Sequence, residues 1–285
     1  MKNRRHFMAG ALGMLLAGIS SRLLAADADK ATPATTPATA KTDAKPEHDM
    51  SMMPPEWTKP DQIAMLLYPE FTALDLIGPQ YMLGGLMGAT VHLVSSSLEP
   101  VTSDTKVTIV PTATYDDVPK DLTVLFIPGG GESVIKALGD EKLMAFVRDR
   151  GSRAKFVTST CTGSLILAGA GLLEGYKATS HWVARDALVA GGAIPVNQRV
   201  VRDRNRITGA GVTAGIDLGL TVIAELRDPF YAQNIQLLAE YAPEPPFNAG
   251  TPETAPKEAV AIMSAMFAGY SDKAQAAIKK AVGST

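Results

Sequence analysis

The sequence predicts an α/β fold with a central, mostly parallel sheet. Short apolar runs recur along residues 61–210, each closed by residues that break regular structure. Stretches of helical length and patterning separate them, so strand and helix alternate. The runs are continuously apolar rather than alternating, which suits strands buried on both faces.

Gln62–Leu67 is the first run, closed by Tyr68-Pro69. Thr90–Ser95 is the second. Leu122–Ile127 is the third, closed by Pro128 and three glycines, and Ala154–Ser159 is the fourth. Helices are expected at about 75–88, 132–151 and 162–173. Lys106–Val110 and Arg199–Ile207 read as further strands or a hairpin. Two more helices are expected at 212–226 and 228–240. The Ala-rich segment 255–282 reads as helical, packed on the body or on a partner.

The chain has 285 residues, 46% of them hydrophobic and 20% charged, enough for a large core. Its 27 basic and 29 acidic residues give a net charge of -2. Without a basic face, nucleic acid is not an expected partner. The single cysteine, Cys161, excludes an intramolecular disulfide and a multi-cysteine zinc site, and four histidines argue against a His-rich metal centre. Neither a metal nor an organic cofactor is expected.

Residues 1–26 read as an export signal. Lys2, Arg4 and Arg5 precede a moderately apolar core, and small residues follow at Ala25, Ala26 and Ala28. Asn3-Arg4-Arg5-His6-Phe7-Met8 resembles a twin-arginine signal, which implies the twin-arginine export machinery and a periplasmic destination. The alternative is a retained membrane anchor, which the short core and Arg22 disfavour. Removing residues 1–26 leaves 23 basic and 29 acidic residues.

Residues 27–60 are expected to form a disordered tether rich in Ala, Thr and Pro. Near its end, His48, Met50, Met52 and Met53 form a cluster whose thioethers and imidazole suit Cu(I). The plainer reading, a Met-rich linker, is preferred for so short a run.

In open α/β sheets ligands gather beyond the carboxyl ends of the strands. Three loops there carry the candidate chemistry. Phe71–Pro79 places Asp75 among apolar neighbours at a helix start, either as a dipole-favoured charge or as a functional carboxylate. Ile127–Ser133 contains Gly129, Gly130 and Gly131. Their backbone N–H groups could stabilise a developing anion, or the glycines could serve a turn of positive φ. No phosphate-loop spacing is present.

Thr158–Ser164 holds Cys161 between a strand and a helix start. This resembles a nucleophile elbow, with the sulfur exposed and its pKa lowered by the helix N-terminus. The alternative is a buried structural cysteine, for which the Ser, Thr and Gly neighbours make a poor core. His181, after Thr179-Ser180, is either a base or orienter for Cys161 or a satisfied histidine at a strand end.

An acidic loop, a glycine-rich turn and a Cys elbow together resemble the ThiJ/PfpI superfamily, relatives of class I glutamine amidotransferases. The likeness covers about residues 61–247 and implies a flavodoxin-like three-layer sandwich, with 248–285 as a helical extension. Phe71–Pro79 with Asp75, Thr160–Ser164, Ala178–Trp182 and Tyr241–Phe247 resemble the isonitrile hydratase group within it. Many superfamily members carry Glu where this chain has Asp75.

That resemblance implies a hydro-lyase that needs no cofactor, acts on a small molecule and forms a homodimer. Cys161 would be the nucleophile and Asp75 the acid and base. Thr162 would bind the nitrogen or position water, with the backbone at Gly130 and Thr162 polarising the intermediate. Gly131 and His181 would contribute to substrate binding. The competing expectations are a glyoxalase- or deglycase-like enzyme acting on aldehydes, and a periplasmic sensor with an oxidisable thiol.

Overall fold

A computed structural model describes residues 53–283. The export signal, the tether up to residue 52, and His48, Met50 and Met52 lie outside the described residues.

The tether ends sooner than expected. Pro55–Thr58 forms a 3₁₀ turn, and Trp57 within it is buried. Its indole N–H donates to Asp228 at 2.8 Å, and its ring meets Tyr231 edge-on at 4.8 Å. Arg227, its side chain fully covered, donates to the Trp57 carbonyl and pairs with Asp61. Burying an aromatic of this size outweighs the entropy of ordering a few residues.

The elements then follow in chain order: β1 (Gln62–Leu66), α1 (Ala73–Gly84), β2 (Thr90–Ser95), β3 (Val101–Thr102), β4 (Thr108–Ile109), β5 (Ala113–Thr114) and β6 (Val124–Ile127). Next come α2 (Glu132–Leu138), α3 (Glu141–Arg153), β7 (Phe156–Thr160), α4 (Gly163–Gly169), β8 (Lys177–Ala178), a 3₁₀ turn at Arg185–Gly191 and β9 (Ile194–Pro195). The chain continues through β10 (Val200–Asp203), β11 (Arg206–Gly209), α5 (Ala214–Leu226), α6 (Pro229–Leu238), α7 (Lys257–Met266) and α8 (Tyr270–Val282).

The main sheet has the order β10-β11-β7-β6-β1-β2-β5. Every pairing is parallel except β10 with β11, which form the expected hairpin. Strands β1, β6 and β7 are buried almost throughout, as continuous apolar runs require. Helices α1, α5 and α6 pack together, as do α2, α3, α4 and α8, and these two groups flank the sheet in a flavodoxin-like arrangement. After β1 the chain builds outward to β2 and β5, then returns to place β6 on the other side of β1. The topological switch point therefore lies between β1 and β6, where Asp75 and the glycine loop follow their strands.

Two expected elements differ. The helix expected over 132–151 is two helices, because Gly139 closes α2 and Asp140 caps α3, accepting from the N–H groups of Lys142 and Leu143. The strand expected at 106–110 shrinks to β4, paired only with β3. The tail forms two helices, of which α8 docks on α4 through Tyr270, Ala274, Ile278 and Ala281, spaced along one helical face. Among the described residues no helix is long and apolar enough to cross a membrane.

Candidate active site

The site is built where β1, β6 and β7 end. Cys161 follows β7 with φ of 56°, a left-handed conformation rare for a residue with a side chain. Holding it there costs about 1 kcal/mol or more, so the surroundings must fix it. They do so through the backbone. The Cys161 N–H donates to the carbonyls of Gly209 and Ala210, and its carbonyl accepts from the hydroxyls of Ser164 and Ser180. The elbow expected from the sequence is present, and the small polar neighbours are its clamps.

The sulfur itself differs from expectation. Cys161 is buried, and its thiol pKa is pushed well above the ordinary value, first by desolvation and then by the nearby Asp75 carboxyl. The Thr162 N–H and hydroxyl act in the opposite direction on the sulfur. The expected lowering fails because the sulfur is shielded from water and faces the Asp75 carboxyl, which together outweigh the Thr162 donors.

Asp75, in the first turn of α1, is fully buried. Its Oδ2 accepts the Gly129 N–H at 3.1 Å, while Oδ1 has no hydrogen-bond partner among the described residues. Burial raises its pKa to about 7, against the lowering effect of the Cys161 thiol and the Gly129 N–H. Asp75 and Cys161 thus perturb one another directly and titrate as a pair.

The glycine loop supports this pair. None of Gly129, Gly130 and Gly131 has positive φ, so the turn explanation fails. What excludes side chains is crowding. A Cβ on Gly129 would lie 2.6 Å from Asp75 Oδ2 and 2.7 Å from the Thr162 nitrogen. A Cβ on Gly130 would collide with the Ser133 hydroxyl.

Thr162 Oγ1 donates to the Gly130 carbonyl at 2.6 Å and accepts the Gly130 N–H at 2.9 Å. The Gly130 N–H expected to face an anion is therefore already engaged, and the Thr162 hydroxyl ties the two loops together. Gly131 caps α2, and its carbonyl accepts from the Tyr270 hydroxyl at 3.0 Å.

His181 stands apart from this cluster. Its Nδ1 accepts the Val183 N–H at 3.4 Å, and burial lowers its pKa, keeping the ring neutral. Among the described residues no hydrogen bond joins it to Cys161. It lines an open cavity of about 440 Å³ with Ser180, Trp182, Arg185, Arg199 and the segment Gly250–Glu253. Ser180 and Ala210, which hold the Cys161 backbone, also border this cavity. Among the described residues no cluster of three or more His, Cys, Asp or Glu is placed to hold a metal ion.

Two tyrosines were missed by sequence reasoning. Tyr68, just beyond β1, donates to the Pro128 carbonyl at 2.9 Å, and Tyr270 enters from α8. Both are buried, with hydroxyl pKa values raised by desolvation, so both remain neutral donors. Tyr68 adjoins a segment already singled out. Tyr270 lies more than a hundred residues from the elbow, in a stretch with no local signal.

Residues 61–225 match the DJ-1/PfpI family. The chain belongs to that family. It is 49% identical over 199 residues to an isonitrile hydratase of Pseudomonas putida, covering 70% of this chain and 86% of that protein. A crystal structure of a ThiJ/PfpI family protein from Pseudomonas syringae is 55% identical, with a TM-score of 0.79, covering 84% of this chain and 98% of that one. A deglycase of Pyrococcus horikoshii is 30% identical over 148 residues, covering 52% of this chain and 88% of that enzyme.

Proposed function

We propose that this DJ-1/PfpI family member is an isonitrile hydratase, adding water to R–N≡C to give the formamide R–NH–CHO. The observation that carries this reading is the buried Asp75 carboxyl beside the Cys161 thiol, with a pKa raised to about 7. The 49% identity to the Pseudomonas putida isonitrile hydratase supports it.

The chemistry follows from one proton held by two groups. Near neutral pH Asp75 is partly ionised, and passage of the thiol proton to the carboxylate gives the reactive form. In the thiolate and carboxylic acid form, sulfur attacks the terminal isonitrile carbon while Asp75 delivers its proton to that carbon. A C–S and a C–H bond form, giving the thioimidate R–N=CH–S–Cys161. Asp75, now a carboxylate, takes a proton from water as the hydroxide adds to the same carbon. That proton passes to nitrogen, Asp75 then takes the hydroxyl proton as the C=O forms and the C–S bond breaks, and the formamide leaves with the thiolate and the carboxylic acid restored. Thiol, carboxyl and water account for every bond made and broken. A raised carboxyl pKa makes one group competent as both acid and base near pH 7.

A redox sensor needs an exposed thiol of low pKa, whereas Cys161 is buried and raised. We propose in addition that the enzyme is exported, a reading supported by the twin-arginine-like segment Asn3–Met8.

The test is turnover of cyclohexyl isocyanide by the full chain, with formamide followed by mass spectrometry. Cys161→Ala is expected to abolish turnover, and Asp75→Asn to lose about 10² to 10⁴-fold in kcat. Formamide production that persists in Cys161→Ala would overturn the proposal.

A further inference from the structure

We propose that Tyr270, delivered by the C-terminal helix α8, is a positioning residue that holds the glycine loop in register against the Asp75–Cys161 pair. This extends the isonitrile hydratase reading, but its first readout does not depend on isonitrile turnover.

The connections are short. The Tyr270 hydroxyl donates to the Gly131 carbonyl at 3.0 Å and lies 3.5 Å from the Gly130 carbonyl. Gly130 is locked to Thr162 through both its N–H and its carbonyl. Gly129 gives its N–H to Asp75. One hydroxyl therefore meets two consecutive carbonyls, those of Gly130, which is tied to the residue after the nucleophile, and Gly131, and Gly130 directly follows the glycine that touches the carboxyl. Gly131 has open space where a Cβ would stand, so side-chain packing at that residue cannot substitute for the clamp.

Tyr270 belongs to the docking face of α8 and adds a hydrogen bond to it. The rest of that face is formed by Ala274, Ile278 and Ala281. Tyr270 stands at the helix start, after Gly269 in a left-handed turn, with its ring edge-on to Phe267 at 6.5 Å. Burial and the Cys161 thiol keep its hydroxyl protonated, so it acts only as a donor. The groups that bear on it are Cys161, Thr162, Glu132 and Tyr68. Those that bear on Asp75 are Cys161, Gly129, Asp104 and Tyr68. The Gly129 N–H lowers the Asp75 pKa, so a slackened loop moves the first deprotonation of the pair upward.

The experiment compares Tyr270→Phe with wild type and with Lys273→Ala in the full chain. Lys273 is exposed on the same helix and pairs with Glu132, so its loss weakens docking without touching the hydroxyl. The first readout is the rate of Cys161 alkylation by iodoacetamide across pH 5–10. Tyr270→Phe is expected to raise the midpoint near neutrality by about half a pH unit. Lys273→Ala should leave it in place. The second readout is isonitrile turnover, where Tyr270→Phe should lower kcat about tenfold, the effect of one ordinary hydrogen bond, with KM little changed.

An unmoved midpoint in Tyr270→Phe would overturn the proposal, as would an equal shift in Lys273→Ala. Absence of isonitrile turnover in wild type, with the midpoint shift intact, would reject the hydratase reading and leave the positioning role standing.

Discussion

The floor of the site, where β1, β6 and β7 end, and its rim at His181 and Trp182 are built on different physical terms. On the floor the Cys161 backbone and the glycine loop are held by hydrogen bonds, and two ionisable side chains are buried together. The rim is partly open, borders a cavity, and holds its histidine against a backbone N–H, with burial lowering the ring's pKa. Both regions carry residues of catalytic type. Only the floor buries two of them against one another, and that raises the Asp75 pKa to about 7.

The comparison breaks most visibly in turnover. The floor variant Asp75→Asn is expected to lose orders of magnitude. His181→Asn is expected to change kcat by less than the loss of about 10² that removing a general base brings, with its main effect on KM. A loss in His181→Asn equal to that in Asp75→Asn, measured with the same isonitrile, would erase the distinction between the regions.

Stability sharpens the same contrast. The folded Asp75 holds its proton up to about pH 7, whereas the unfolded chain releases it near the ordinary carboxylate value. The native state therefore binds more protons between these limits, and stability falls as pH rises through that window. Asparagine does not titrate. Asp75→Asn should gain on wild type from pH 4 to 7 by up to about 4 kcal/mol, read from urea unfolding. Parallel stability curves would mean that Asp75 is not held protonated. His181→Asn should show a smaller difference of opposite sign, gaining on wild type as pH falls below the usual histidine range, because burial disfavours the charged ring.

The sheet was legible because its signal is local. Four continuous apolar runs, each ended by a breaker, became four parallel strands, and Arg199–Ile207 became the expected hairpin. The Cys161 elbow was legible for the same reason, since a strand, small polar residues and a helix start adjoin one another. The thiol's environment was not legible. Whether helix dipole or desolvation governs it depends on how deeply the sulfur lies and on Asp75, which is distant in sequence.

The glycine loop was legible as a place of close approach, but what approaches it was not. Gly129 and Gly130 are crowded by Asp75, Thr162 and Ser133 rather than held at positive φ, and those partners are a tertiary fact. Tyr270 left no trace because an aromatic in an Ala-rich helix reads as packing until the loop that accepts its hydrogen bond is seen.

The central claim is that burial beside Cys161 keeps the Asp75 carboxyl protonated up to about pH 7. Its most direct test is difference infrared spectroscopy of wild type against Asp75→Asn from pH 5 to pH 9. A protonated-carboxyl band present at pH 5 and lost with a midpoint near 7 is the predicted result. A spectrum with no such band at pH 5 would show Asp75 already ionised, and would contradict the account.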